Sequence, residues 1–169
     1  MEQPSRRLHQ FTATDRWPYL FRFPCVSARV TRGRLDPTIA GYLAGLIDGE
    51  GTVTLTRVHR NESRRLVVSI SNNDLGLLRF VREVVGMGRI TRKRTYSQRH
   101  APSFTYQLSS RQALALLRQT EPLLRSYKAA RARLALAEYV QLTPRNGKYR
   151  ADQRARRSDF EARFFAIRP

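Results

Sequence analysis

The sequence predicts an α+β fold: one mixed domain in which helices are interleaved with two strand pairs that make a four-stranded antiparallel sheet. Three observations carry this. Apolar residues recur at helical spacing in some stretches and alternate strictly in others. The two patterns follow one another in the order α-ββ-α-ββ-α-α-α, which is the signature of a mixed domain rather than of separate layers. A chain of 169 residues with 41 % hydrophobic content is also long enough to close one core.

Residues 1–35 stand apart. "WPYLFRFPC" mixes aromatics, prolines and Arg with neither period, and the segment reads as a basic extension, either an arm on nucleic acid or a leader. Order begins at "LDPTIAGYLAGLID", where Asp36 is a good N-cap and Pro37 suits the first helical position. Leu43, Leu46 and Ile47 can face a core, while Ala40/Ala44 and Gly41/Gly45 make seams of small residues that admit another helix at close range. The helix ends in two acids, Asp48 and Glu50. That is the negative end of the helix dipole, where acids are least welcome. A local rule broken in this way often marks a working site.

"TVTLTRV" alternates Val53 and Leu55 with Thr52, Thr54 and Thr56; "LVVSIS" alternates Leu66, Val68 and Ile70 with Val67, Ser69 and Ser71. Joined through "HRNESRR", they read as a hairpin. Asp74 can cap a helix whose stripe is Leu77, Leu78, Val81, Val84 and Val85, and "GMG" stops it. A second strand pair follows, "GRITRKRTY" and "FTYQLSS", around the basic loop "SQRHAPS". Ser109 and Gln112 have capping-box spacing ahead of "ALALLRQ". "TEPLLRSYKAARARLALAEYV" reads as one longer helix, and a turn at "TPRNGKY" leads to a last basic amphipathic helix over 151–166. The domain therefore divides into the 1–35 extension, a 36–142 core and a 143–169 basic helical segment belonging to the same domain. Arg150, Arg154, Arg156 and Arg157 in that last segment are expected to meet phosphates or solvent.

Charge narrows the partners. Lys and Arg number 32 against 13 Asp and Glu, a net charge of +19, so a polyanion is expected and nucleic acid above all. A solvated basic surface and a ribosome-type RNA binder fit the same composition. Cys25 is the only cysteine and the histidines are His9, His59 and His100, which leaves neither an internal disulfide nor a zinc cluster. No apolar run reaches membrane-spanning length, and no membrane partner is expected. The reading is an intracellular protein, in cytoplasm or nucleoid, with an organelle as the alternative for so Arg-rich a leader.

Leu43-Ala44-Gly45-Leu46-Ile47-Asp48-Gly49-Glu50-Gly51 resembles the signature of the LAGLIDADG homing endonucleases, with seven of nine letters shared and Gly49 and Glu50 as common variants. The order of elements from residue 36 to about 140 resembles that family too, including "ISNND" opening a helix and "GMGRI" opening the second strand pair. The resemblance implies an αββαββα LAGLIDADG fold whose sheet binds DNA, and a site-specific, double-strand DNA endonuclease that hydrolyses phosphodiesters at a long pseudo-palindromic target. It implies that the motif helix packs against its counterpart through Ala40, Gly41, Ala44, Gly45 and Asp48. Glu50 would be the metal ligand, with the Gly49 carbonyl as a second oxygen, and the cofactor Mg²⁺ or another divalent cation such as Mn²⁺. Such a hard cation suits carboxylate, carbonyl and phosphate oxygens. Asn72 falls where the family often has Gln, a group that positions the attacking water, and also suits a strand-end turn. Lys128 matches a Lys that polarises the solvent network. One motif per chain is too few acids for two strands, so a homodimer on double-stranded DNA is implied.

The strand pairs would then read the major groove. Their outward faces carry Thr54, Thr56, Arg65, Ser69, Arg89, Thr91, Lys93, Thr105 and Gln107. Any solvated sheet face has the same composition. The same scaffold also serves as a non-cleaving binder, an intron RNA maturase or a transcription regulator, which keeps intron RNA among the candidate partners.

Overall fold

The computed structural model describes residues 33–57, 59, 62–94, 101–144 and 149–169. Expectations for residues 1–32, for part of "HRNESRR", for 95–100 in the basic loop and for 145–148 in the turn "TPRNGKY" lie outside that set. The elements are α1 (Pro37–Glu50), β1 (Gly51–Thr56), β2 (Arg65–Asn72), α2 (Leu75–Val85), β3 (Arg89–Arg92), β4 (Phe104–Ser109), α3 (Ser110–Thr120), a 3-10 turn (Glu121–Leu123), α4 (Tyr127–Glu138) and α5 (Ala151–Ala166). This is the predicted α+β order with one added turn.

The four strands form one sheet in the order β1-β2-β4-β3, every pair antiparallel. Alternation assigns the two faces. Gly51, Ile70, Tyr106 and Ile90 lie in one row across the sheet, and Val53, Val68 and Leu108 in another; these face the helices. The opposite face carries Thr52, Ser69, Gln107 and Arg89 in one row and Thr54, Val67 and Ser109 in the next. Val67 is the exception to the polar composition of that face. It is only 3 % exposed, flanked on the inner strand by Thr54 and Ser109.

Local signals set the helix ends. Asp36 Oδ1 accepts from the amides of Thr38 and Ile39, and Asp74 Oδ1 accepts from Gly76 and Leu77 at 2.7 and 3.1 Å. Gly86, at φ 69°, closes α2 in the left-handed region that glycine adopts without strain. Leu43, Ile47, Leu78, Val81, Leu114, Leu117, Phe160 and Phe164 fill the core between sheet and helices. Full burial of one such side chain contributes about 1.5–3 kcal/mol. Leu46 and Leu77, expected in the same core, are half-buried at its rim.

Three expectations about the helices need correction. The long helix from Thr120 to Val140 is broken: Pro122 sits in the 3-10 turn, Leu124 is extended at ψ 142°, and Ser126 caps a fresh helix. Pro supplies no amide to an interior helical turn, and Leu124 reaches the core instead, at 4 % exposure. The capping box at Ser109 does not form. Ser109 is the last residue of β4 with its side chain on the polar face of the sheet, and the chain enters α3 directly through Ser110 at φ 51°. Arg157, finally, does not meet solvent. Residues 157, 160 and 164 share one side of α5, and Arg157 is 3 % exposed. Its guanidinium donates to Thr143 Oγ1 at 2.9 Å and to the Arg64 carbonyl, pairs with Glu161, and stacks on Tyr139 and Phe160. Arg150, Arg154 and Arg156 are exposed as expected. Arg131 of α4 makes a second tie, donating to the carbonyls of Val53 on edge strand β1 and of Ile167 after α5. The C-terminal helix is thereby held to the sheet.

Candidate active site and nucleic-acid interface

The acids at the end of α1 occupy two different environments. Asp48 points back into its own chain. Oδ2 accepts from the Arg125 amide at 2.7 Å, and Oδ1 accepts from the Ser126 hydroxyl at 2.5 Å and the Ser126 amide at 3.3 Å. Those donors open α4, so the carboxylate at the negative end of one helix sits at the positive end of another. Lys128, in the first turn of α4, returns the exchange: its Nζ donates to the carbonyls of Ile47 and Asp48 at 2.9 and 2.8 Å. Each helix thus carries the charge that the other helix's end requires.

Burial shifts both groups. It raises the Asp48 carboxyl, but the Ser126 hydroxyl, the two amides and the Lys128 charge outweigh it and hold the group below 3.8. Lys128 is 7 % exposed; burial lowers it from 10.5 against the pull of Asp48 and Glu50. Lys128 lies beside the end of the motif helix with its ammonium on backbone carbonyls rather than in open solvent.

Glu50 is left outside this clasp. It is the last residue of α1 and exposed, and among the described residues no hydrogen bond or ion pair engages its carboxylate. Its position is fixed by the residue that follows. A Cβ on Gly51 would lie 2.6 Å from Ile47 Cα and 2.7 Å from the Ile47 carbonyl oxygen, so only glycine lets α1 turn straight into β1. The Gly49 carbonyl is not among the two that Lys128 takes. Glu50 and Gly49 therefore offer a carboxylate and a carbonyl oxygen, a hard donor set that fits Mg²⁺ or a similar ion. Among the described residues no three His, Cys, Asp or Glu side chains cluster.

Asn72 ends β2 two residues beyond the Gly51–Ile70 pair, at the edge of the sheet where α1 ends. Its Oδ1 accepts from the Asp74 amide at 2.8 Å, which makes it a turn residue here. The small residues divide by side. Ala40 and Ala44 are 6 % and 1 % exposed and belong to this chain's own core. Gly41, Gly45 and Gly49 are exposed, and a Cβ on any of them would meet nothing within 4 Å. The open face of α1 is thus the glycine row alone, with Tyr42 beside it at 46 % exposure and edge-on to Phe80.

Eight of the nine residues assigned to the outer sheet face lie together there: Thr54, Thr56, Arg65, Ser69, Arg89, Thr91, Thr105 and Gln107. Lys93, one step past β3 in the same alternation, continues the row, its amide bonded to the Ser103 carbonyl. Sequence reasoning missed Arg125, Ser126 and Arg131. Ser126 had a readable signal, a Ser-x-Lys start after a proline-broken segment; Arg125 acts through its backbone and had none.

Residues 37–121 match the family model described as a LAGLIDADG-like domain. No curated protein matches the chain by sequence. Among solved structures the chain resembles the homing endonuclease I-CvuI in complex with its target, at 16 % identity and a TM-score of 0.64 over 78 % of this chain and 83 % of that one. It resembles the archaeal intron-encoded homing endonuclease I-Vdi141I complexed with DNA at 17 % identity and 0.58, over 78 % and 85 %. It also resembles the LAGLIDADG meganuclease I-AabMI bound to uncleaved DNA at 20 % and 0.56, over 76 % of this chain but 44 % of that one. With half of its length matched by the family model and the full αββαββα order in place, the chain belongs to the LAGLIDADG family.

Proposed function

We propose that the protein is a divalent-metal-dependent DNA endonuclease of the homing type, working as a homodimer that cuts both strands of a long, nearly palindromic site. The observation that carries this is the division of labour at the end of α1. Asp48 is consumed by the start of α4, while Glu50 is presented outward beside an open row of glycines. A second copy packed on Gly41 and Gly45 would bring its own Glu50 alongside. Matching most of I-CvuI and I-Vdi141I but under half of I-AabMI supports one half-enzyme per chain.

Glu50 and the Gly49 carbonyl would hold Mg²⁺, whose chemistry is to activate water and absorb charge on the leaving oxygen. The chain's own residues do the rest. The polar sheet face seats the duplex in register, across the side chains from Thr54 and Ser69 to Arg89 and Lys93. The Asp48–Lys128 clasp holds the Gly49–Glu50 backbone against the pull of a bound cation. Asn72, whose Oδ1 is taken by the Asp74 amide, would act on solvent only through its Nδ2.

Glu50→Gln tests the reading. The variant should bind the selected duplex as tightly as wild type in Ca²⁺ and show no cleavage in Mg²⁺. Cleavage at the wild-type rate would remove Glu50 from the reaction.

A further inference from the structure

The outer face of the sheet carries a cleft of about 310 Å³ lined by Arg65, Gly88, Arg89, Gln107, Ser109 and Gln112. Two arginines, Arg65 and Arg89, line it together. Each lining side chain longer than Gly can donate a hydrogen bond, and none is acidic. Its side chains also come from separate elements: Arg65 opens β2, Arg89 opens β3, Gln107 and Ser109 lie on β4, and Gln112 stands in the first turn of α3. Gln112 is exposed, and Ser109 makes no cap to α3, so neither is occupied by the capping box that their spacing suggests. Arg89 Nη2 reaches Gln107 Oε1 only at 3.5 Å, a bond too long to satisfy a guanidinium.

Base edges are read by side chains that project into a groove and need no hollow to receive them. A hollow lined by two guanidiniums, two carboxamides and a hydroxyl suits a compact anion with several acceptor oxygens. We propose that this cleft is a phosphate seat for the DNA backbone, in which Arg65 and Arg89 grip one phosphodiester per half-site and Ser109 and Gln112 complete its hydrogen bonds. Resting on the DNA-binding reading above, the proposal adds a division within the sheet face. The Thr and Ser side chains outside the cleft face bases, while the Arg65–Arg89 cleft fixes register and carries no sequence information.

The test compares full-length wild type with Arg65→Gln/Arg89→Gln on two probes, a random-sequence duplex and a duplex selected from a randomised pool by the wild-type protein. Equal thermal melting establishes that the variant is folded. On both probes the slope of log K against log salt should fall by about two in the variant, one for each phosphate held by the dimer's two clefts. Backbone ethylation of the selected duplex should block wild type at one phosphate per half-site where the variant is indifferent, and both proteins should select the same sequence. An unchanged salt slope, or loss of preference at one base pair in the variant's selected sequence, would overturn the phosphate seat. If wild type selects no sequence at all, the site-specific reading fails instead, and the slope on the random duplex still decides the cleft.

Discussion

Asp48 and Lys128 exchange partners across two helix ends, and the exchange sets what each can do. Asp48 is bonded to residues 77 and 78 positions further along the chain, which no local pattern announces. The sequence therefore exposes the anomaly of two acids at a helix C-terminus but leaves open which of them is satisfied internally. Lys128→Met removes the ammonium from the Ile47 and Asp48 carbonyls and should cost about 2 kcal/mol, measured by urea unfolding at neutral pH. Asp48→Asn should be pH-sensitive in a defined direction. The folded-state carboxyl lies below 3.8, so the stability it supplies is complete above that value and is lost as pH falls through its lower folded-state value. The gap in melting temperature between wild type and Asp48→Asn should be constant at neutral pH and close in acid. A gap independent of pH would mean that the carboxylate's charge contributes nothing.

At the scale of the element, α1 shows where pattern reading stops. Ala40, Gly41, Ala44 and Gly45 look alike as small residues, and nothing in their spacing separates the pair that packs inward from the pair left open. The caps at Asp36 and Asp74, the Gly86 stop and the alternation of all four strands were legible because each depends on neighbours within a few residues. The break at Pro122–Ser126 was obscured by the apolar Leu123 and Leu124, which continue a helical stripe across it. Gly45→Leu separates folding from association. The side chain enters open space and replaces a helical glycine, so the single chain should be no less stable, and it should gain up to about 1 kcal/mol. Association through the glycine row should be lost, which sedimentation at matched concentration will register. A destabilised single chain would place Gly45 in this chain's own core.

Over the whole molecule, the +19 charge is not evenly employed. Arg131 and Arg157 are structural, tying α4 and α5 to β1 and to the Arg64 carbonyl, whereas Arg65, Arg89 and Lys93 lie on the outer sheet face. A count of basic residues supports a nucleic-acid partner but cannot sort these roles, because an Arg in an apolar stripe and an Arg on a polar face read the same without the packing. What the fold adds is geometry: a polar sheet face, an outward carboxylate at the end of α1 and an open glycine row beside it. In the proposed enzyme two such chains meet over one duplex. The mass of the complex between the Glu50→Gln variant and a single copy of the selected duplex tests it most directly. Two chains per duplex is the predicted result; one chain per duplex, from a protein whose wild type cuts both strands, would contradict it.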